Sequence, residues 1–187
     1  IAIENVRMFR ETKEALERQT ATAEILKVIS GSPTDTQPVF DAIARSVVRL
    51  CDGLYTYVGL YDGAMLSFVA YHNVSPAALA ILKERFPSAP IRGSSTGNAL
   101  LDRRAVHIPD VMADPTYQFK DLARADGYSA ILAVPMLREG VAIGVIAVGR
   151  RSPFSEDQIE LVRTFADQGV IAIENVRLFN ETKEALE

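Results

Sequence analysis

Arg92-Gly93-Ser94-Ser95-Thr96-Gly97 places a guanidinium and three hydroxyls at the start of a short helical stretch. A helix N-terminus presents unpaired N–H groups, so this cluster could hold a carboxylate or a phosphate. The competing role is a plain cap, with Ser95 or Thr96 closing the first turn and Arg92 left in water. No Gly-Lys-Ser/Thr follows, so the segment is not a nucleotide P-loop. Tyr55, Tyr57 and Tyr61 alternate along one strand around Gly59. A glycine there leaves room for a ligand ring or for core side chains. His72 and His107 are the only histidines and Cys51 is the only cysteine. One thiol excludes an internal disulfide, a C-x-x-C pair and an all-cysteine metal site. Lone histidines on a sheet read as hydrogen-bonded structural residues, not haem ligands, and no cofactor is expected. Asp110 and Asp114 flank a turn that could close a pocket or serve only as turn chemistry. No nucleophile–base–acid set emerges, so the chain does not read as an enzyme.

These groups need a scaffold, and the composition supplies one. Of 187 residues, 48% are hydrophobic and 24% charged, which excludes a disordered chain. The net charge of −4 gives no electrostatic reason to bind nucleic acid or an anionic membrane. The longest apolar run, Val141 to Gly149, is far short of the roughly 20 residues that span a bilayer. No signal peptide is visible, and a cytoplasmic location is expected.

The stretch to Ile29 lacks Gly and Pro and carries a helical apolar stripe. A second helix starts at Asp35 or Thr36, with Pro38 in its first turn, and closes at Asp52-Gly53. Leu54–Tyr61 and Ala64–His72 read as a hairpin about Asp62-Gly63. Short helices follow near 75–86 and 97–104, then a strand at Val106–Ile108 and a mixed segment to Asp126. Tyr128–Met136 and Val141–Gly149 read as two more strands, and Ser155 caps a last helix. Hairpins in place of alternating βα units predict an antiparallel sheet with helices beside it, an α+β domain.

Residues 1–17 and 171–187 repeat each other, differing only at Met8/Leu178 and Arg10/Asn180. The chain begins and stops inside helical patterns, and is expected to be part of a longer protein carrying tandem copies of this unit. Leu161, Phe165, Ala172, Phe179 and Leu186, flanked by Val176, follow a 3.5-residue seam with Gln168, Asn175 and Thr182 between. That spacing predicts a parallel homodimer through the terminal helices.

AVHIPDVMADP, GYSAILAVPMLREGVAIGVIAV and PFSEDQIELVRTFADQGVIAIENVRLF resemble, in order and spacing, the motifs of the GAF sensor domains of bacterial signalling proteins. The resemblance covers about Ala23 to Phe179. It implies a six-stranded antiparallel sheet, with the N- and C-terminal helices on one face. A pocket on the other face would be roofed by the 76–126 region. It divides the chain into a linker helix at 1–29, a GAF core at 30–155 and a signalling helix at 156–187.

Phytochrome-like members attach a bilin through a cysteine beside the pocket; Cys51, at the end of the second helix, is misplaced for that. The free methionine sulfoxide reductases of this fold use several cysteines. The N-K-x-x-x-F-x-x-x-D-E signature of phosphodiesterase members is absent. The pocket candidates are Tyr55, Tyr57, Phe68, His72, Arg92, Ser94, Thr96, Asp110, Tyr117 and Ser129. The expected function is a non-catalytic sensor module, upstream of a histidine kinase or nucleotide cyclase, that binds an unidentified small molecule and relays the change through dimeric helices to adjacent domains. The alternative is a ligand-free dimerisation spacer in a tandem array.

Overall fold

The computed structural model describes residues 1–186. Helix α1 (Ala2–Gly31) is followed by α2 (Gln37–Cys51), where Pro38 lies in the first turn and Asp35 Oδ1 accepts from Gln37 N–H at 2.9 Å. Asp52 ends α2 in the left-handed region at φ 51°. The next residue must lack a side chain, because a Cβ on Gly53 would stand 2.8 Å from Val148. Strands β1 (Tyr55–Tyr61) and β2 (Leu66–His72) are joined by a turn in which Asp62 Oδ1 accepts from the N–H groups of Ala64 and Met65. Those bonds hold Ala64 and Met65 in the turn, so β2 begins later than the apolar pattern predicts.

Helix α3 (Pro76–Arg85) is capped by Ser75 and α4 (Ser95–Asp102) by Ser94. Strand β3 (Val106–Ile108), α5 (Lys120–Asp126), β4 (Ala130–Arg138) and β5 (Val141–Arg150) follow. Helix α6 (Glu156–Glu184) opens on a complete capping box between Ser155 and Gln158.

The sheet is antiparallel, in the order β2-β1-β5-β4-β3. The five strands read from the residues are the five observed; a sixth strand, implied by the resemblance, is missing among the described residues. The free edge of β2 carries one isolated bridge, in which Leu66 and Ser88 exchange backbone hydrogen bonds of 2.8 and 3.1 Å. Pro87 and Pro90 flank that bridge, and proline has no N–H to extend a ladder. Pro135 is tolerated inside β4 because β3 is too short to reach it: the β3 pairing covers only Ile131–Ala133.

Both sheet faces are covered, which explains the unbroken apolar strands. Val58, Leu132, Val134, Ile146 and Val148 face α1, α2 and α6 in one core. Tyr55, Tyr57, Ile131, Ala133, Val145 and Ala147 face α3, α4, α5 and their loops in the other. A β-bulge opposite Val58/Gly59 places Val69 and Ala70 both on the helix side.

Half-buried His107 on β3 accepts a hydrogen bond from Phe154 N–H at its Nε2, 3.1 Å away, and its ring meets Phe154 edge-on. Burial holds its pKa below the usual 6.5, opposed by Glu156. The unfolded chain therefore binds the proton first, so this histidine contributes stability that is complete above about pH 6.5 and is lost as pH falls below it. Urea midpoints measured from pH 7.5 to 5 are expected to fall less steeply for His107→Gln than for the parent. Parallel profiles would remove His107 as the cause.

Candidate functional site

The face of the sheet opposite α6 carries a cluster of four buried tyrosines. Tyr55 and Tyr57, two residues apart on β1, stack at 5.4 Å between ring centroids, and Tyr128 tilts against Tyr55 at 5.2 Å. Tyr117 reaches the same cluster from the loop before α5; its hydroxyl lies 2.6 Å from that of Tyr128. Phe68 meets Tyr57 edge-on at 4.6 Å, and Phe86 meets Phe68 at 4.5 Å. Burial, the largest cause throughout, raises all four phenols, Tyr117 to about 12, so each stays protonated at neutral pH.

Two buried polar atoms in this region have no hydrogen-bond partner: Asp126 Oδ2, and Tyr55 Oη, which lies near the hydroxyls of Tyr57 and Tyr128 without the geometry of a hydrogen bond. The other Asp126 oxygen accepts from Ser75 N–H at 2.9 Å. A buried polar group left unpaired costs about 1–3 kcal/mol. The sheet allows Tyr55 its position because residue 149 is glycine; a Cβ there would stand 2.3 Å from the ring.

Two helices cover the cluster and are strapped together at both ends. The Ser75–Asp126 bond ties the start of α3 to the end of α5. Arg85 grips Asp121 through two hydrogen bonds, tying the end of α3 to the start of α5. The Arg85 guanidinium also lies 4.8 Å over the Phe119 ring. α4 packs directly on β3, β4 and β5, whereas α3 packs on α5. The α3–α5 pair forms a lid over the cluster, with Ala78, Leu82, Leu122 and Ala123 buried in the same core as the tyrosines. Between α3 and β2 lies a cleft of about 150 Å³, open at Tyr71 and Lys83 and lined within by Tyr57, Phe68, Leu79, Leu82 and Phe86; neither Tyr55 nor Asp126 borders it. A cleft of about 380 Å³ runs beside Leu66, Phe86, Ile91, Ser94 and Phe119. Phe86 lines both spaces and divides them.

Of the residues expected in the pocket, Tyr55, Tyr57, Phe68 and Tyr117 come together here. Ser94 borders the cleft, but its Oγ is occupied, accepting from Gly97 N–H at 2.9 Å; it is the cap expected of Ser95 or Thr96. Thr96 is buried in the first turn of α4. Four expectations are corrected. His72 lies on the opposite face, among α1 and α2 residues, because the bulge at Val69 reverses the alternation after Phe68. Arg92 is exposed and donates to Asp102 Oδ1 at 2.7 Å, so no anion site forms around it. Asp110 is an exposed turn residue accepting from Met112 and Ala113 N–H. Ser129 is exposed, its backbone held between Val111 and Arg150.

The room beside Gly59 is filled by Leu66 and Phe68. Cys51 is buried on the helix side, where desolvation pushes its thiol up to about 12 against Arg150 and Arg18. It is neither near the tyrosines nor ionised. No group of three or more metal-ligating side chains occurs among the described residues, and no described helix is long and apolar enough to cross a membrane.

The dimer seam also changes. Leu161, Phe165 and Ala172 are 7%, 0% and 3% exposed, packed on the chain's own sheet. Val176 is half-buried. Of that set only Phe179, and Leu186 beyond the end of α6, are exposed, and the other exposed large apolar residues of α6 are Ile171 and Leu178.

The family model of the GAF domain matches residues 35–173. The chain belongs to the GAF domain family. Its structure is similar to the GAF domain of a phosphoenolpyruvate-protein phosphotransferase from Coxiella burnetii, with a TM-score of 0.74 at 12% identity over 89% of this chain and 98% of that one. It is similar to a domain of a two-component sensor histidine kinase protein from Sinorhizobium meliloti, with a TM-score of 0.62 at 17% identity over 78% and 94%. It is also similar to a free methionine-R-sulfoxide reductase from Neisseria meningitidis, solved with its substrate, with a TM-score of 0.67 at 18% identity over 89% and 93%. No curated protein matches the sequence.

Proposed function

We propose that this domain is a regulatory sensor of a cytoplasmic, multidomain signalling protein of the histidine kinase or nucleotide cyclase type. It performs no catalysis, binds a small molecule beneath the α3–α5 lid and passes the change to paired terminal helices. The observation that carries this reading is the cleft between α3 and β2, whose inner wall is Tyr57 and Phe68; Tyr55, stacked on Tyr57, and Asp126 each keep a buried polar atom without a hydrogen bond in the same layer. A carboxylate oxygen accepts and a phenol both donates and accepts. A fitting ligand is therefore a small molecule with an apolar or aromatic body and an N–H or O–H donor. An anion is disfavoured by Asp126 and by the engagement of Arg92.

The route to the helices is short. Tyr57 is followed by Val58, which faces the helix layer. α6 sits close on β4, since a Cβ on Gly169 would stand 2.7 Å from Met136 Sδ. Close-packed interiors pass on displacement instead of absorbing it, and a coupling of about 1–3 kcal/mol suffices for regulation. The dimer contact uses the face of α6 turned from the sheet, where Ile171, Asn175 and Leu178 are exposed at spacings of four and three. A polar Asn within such a seam sets register.

The second reading, a ligand-free spacer, is favoured by the tyrosines filling much of the space under the lid. Thermal melting against a panel of small aromatic amines and alcohols separates the two. A ligand at about 100 times its Kd adds about 2.7 kcal/mol, or roughly 5–10 °C for a domain of this size. A panel with no shift supports the spacer.

A further inference from the structure

Residues 171–177 show what the repeated segment does when it has a sheet to rest on. Ala172 is 3% exposed, Ile173 packs partly against the core, and Glu174 Oε1 accepts from Arg138 Nη1 at 2.8 Å. In α1 the same residues recur in the same order with nothing beneath them: Ile3 is 87% and Val6 69% exposed. The internal pairing is retained, Arg7 with Glu11 as Arg177 with Glu181. The two positions at which the repeats differ correspond to Leu178 and Asn180, both exposed. The part of the segment that meets the sheet is unchanged, and the changes fall at exposed positions beyond it.

We infer that the start of α1, residues 2–6, is built to dock on the sheet of a second, preceding copy of this domain, Ala2 and Glu4 taking the places of Ala172 and Glu174, so that one helix belongs to two domains. The inference rests on the proposal that terminal helices join successive modules, and adds the register. α1 runs unbroken from Ala2 to Gly31 and reaches its own core at Ala21. Nineteen residues separate Ala2 from Ala21, a rise of roughly 28 Å and five turns plus roughly 100°. Successive domains therefore sit on faces of the shared helix about a quarter-turn apart, leaving another face free for a dimer partner.

The test joins residues 1–170 directly to a complete 1–187, so that the second copy's residues 1–17 replace the first copy's 171–187. In the 187-residue chain, Ala172→Arg is expected to lower the melting temperature by about 5 °C, and Ala2→Arg to leave it unchanged. In the two-copy chain, Ala2→Arg in the second copy is expected to lower the melting of one copy as Ala172→Arg does. A silent Ala2→Arg there overturns the inference. So does a two-copy chain whose first copy fails to fold, since that copy differs from the single chain only at two exposed positions. Melting reads docking alone, so failure here is separate from an absent ligand or an absent dimer.

Discussion

Replacing Phe165 with alanine is expected to cost about 3–5 kcal/mol of folding stability, a large part of the roughly 5–15 kcal/mol a domain possesses. Phe165 is fully buried where α6 meets the sheet, so truncation leaves a cavity in the helix-side core. Urea denaturation followed by circular dichroism measures the loss. Phe165→Glu is expected to prevent folding, because it buries a carboxylate without a partner. Leu178→Glu is expected to keep the fold and, where the terminal helices pair as proposed, to leave the chain monomeric, read by sedimentation. A folded but monomeric Phe165→Glu would return Phe165 to the seam between subunits.

Tyr55→Phe is expected to act in the opposite direction, raising the stability of the empty domain by about 1–3 kcal/mol. The ring, its stack on Tyr57 and its contact with Tyr128 are kept; only a buried hydroxyl without a hydrogen bond is removed. Natural cores rarely retain such a group unless something outside the fold satisfies it. The same variant should therefore lose most of the melting shift given by any compound that shifts the parent. A Tyr55→Phe chain less stable than the parent, by urea midpoint, would mean that the hydroxyl is already satisfied.

The strands and helix ends were legible because local chemistry decides them: Asp62-Gly63 turns, Ser75 and Ser155 cap, and Pro38 starts a helix. The sides that residues face were legible only where alternation runs unbroken. Tyr55 and Tyr57 share a face as their spacing predicts. Phe68 and His72, also an even number apart, do not, because a single bulged residue reverses everything beyond it. Tyr128 reads as the start of a strand; its role came from the ring of Tyr117 eleven residues earlier, across a helix whose path local pattern does not encode. The seam along α6 shows a different limit. Over the three turns from Leu161 to Ala172, a 3.5-residue stripe and a 3.6-residue stripe drift apart by only some 30°. A face that packs on its own sheet and a face that meets another chain then look the same.

Amide hydrogen exchange resolved along the chain is the most direct test of the lid. Segments that open locally exchange at low free energy, while core amides wait for global unfolding. The amides of α3 and α5 are expected to exchange together and at least tenfold faster than those of β4, β5 and α6. They should slow when a stabilising compound is bound. Exchange of α3 and α5 at the same rate as β5, unaltered by any compound, would mean that the roof is fixed core and that the domain senses nothing through it.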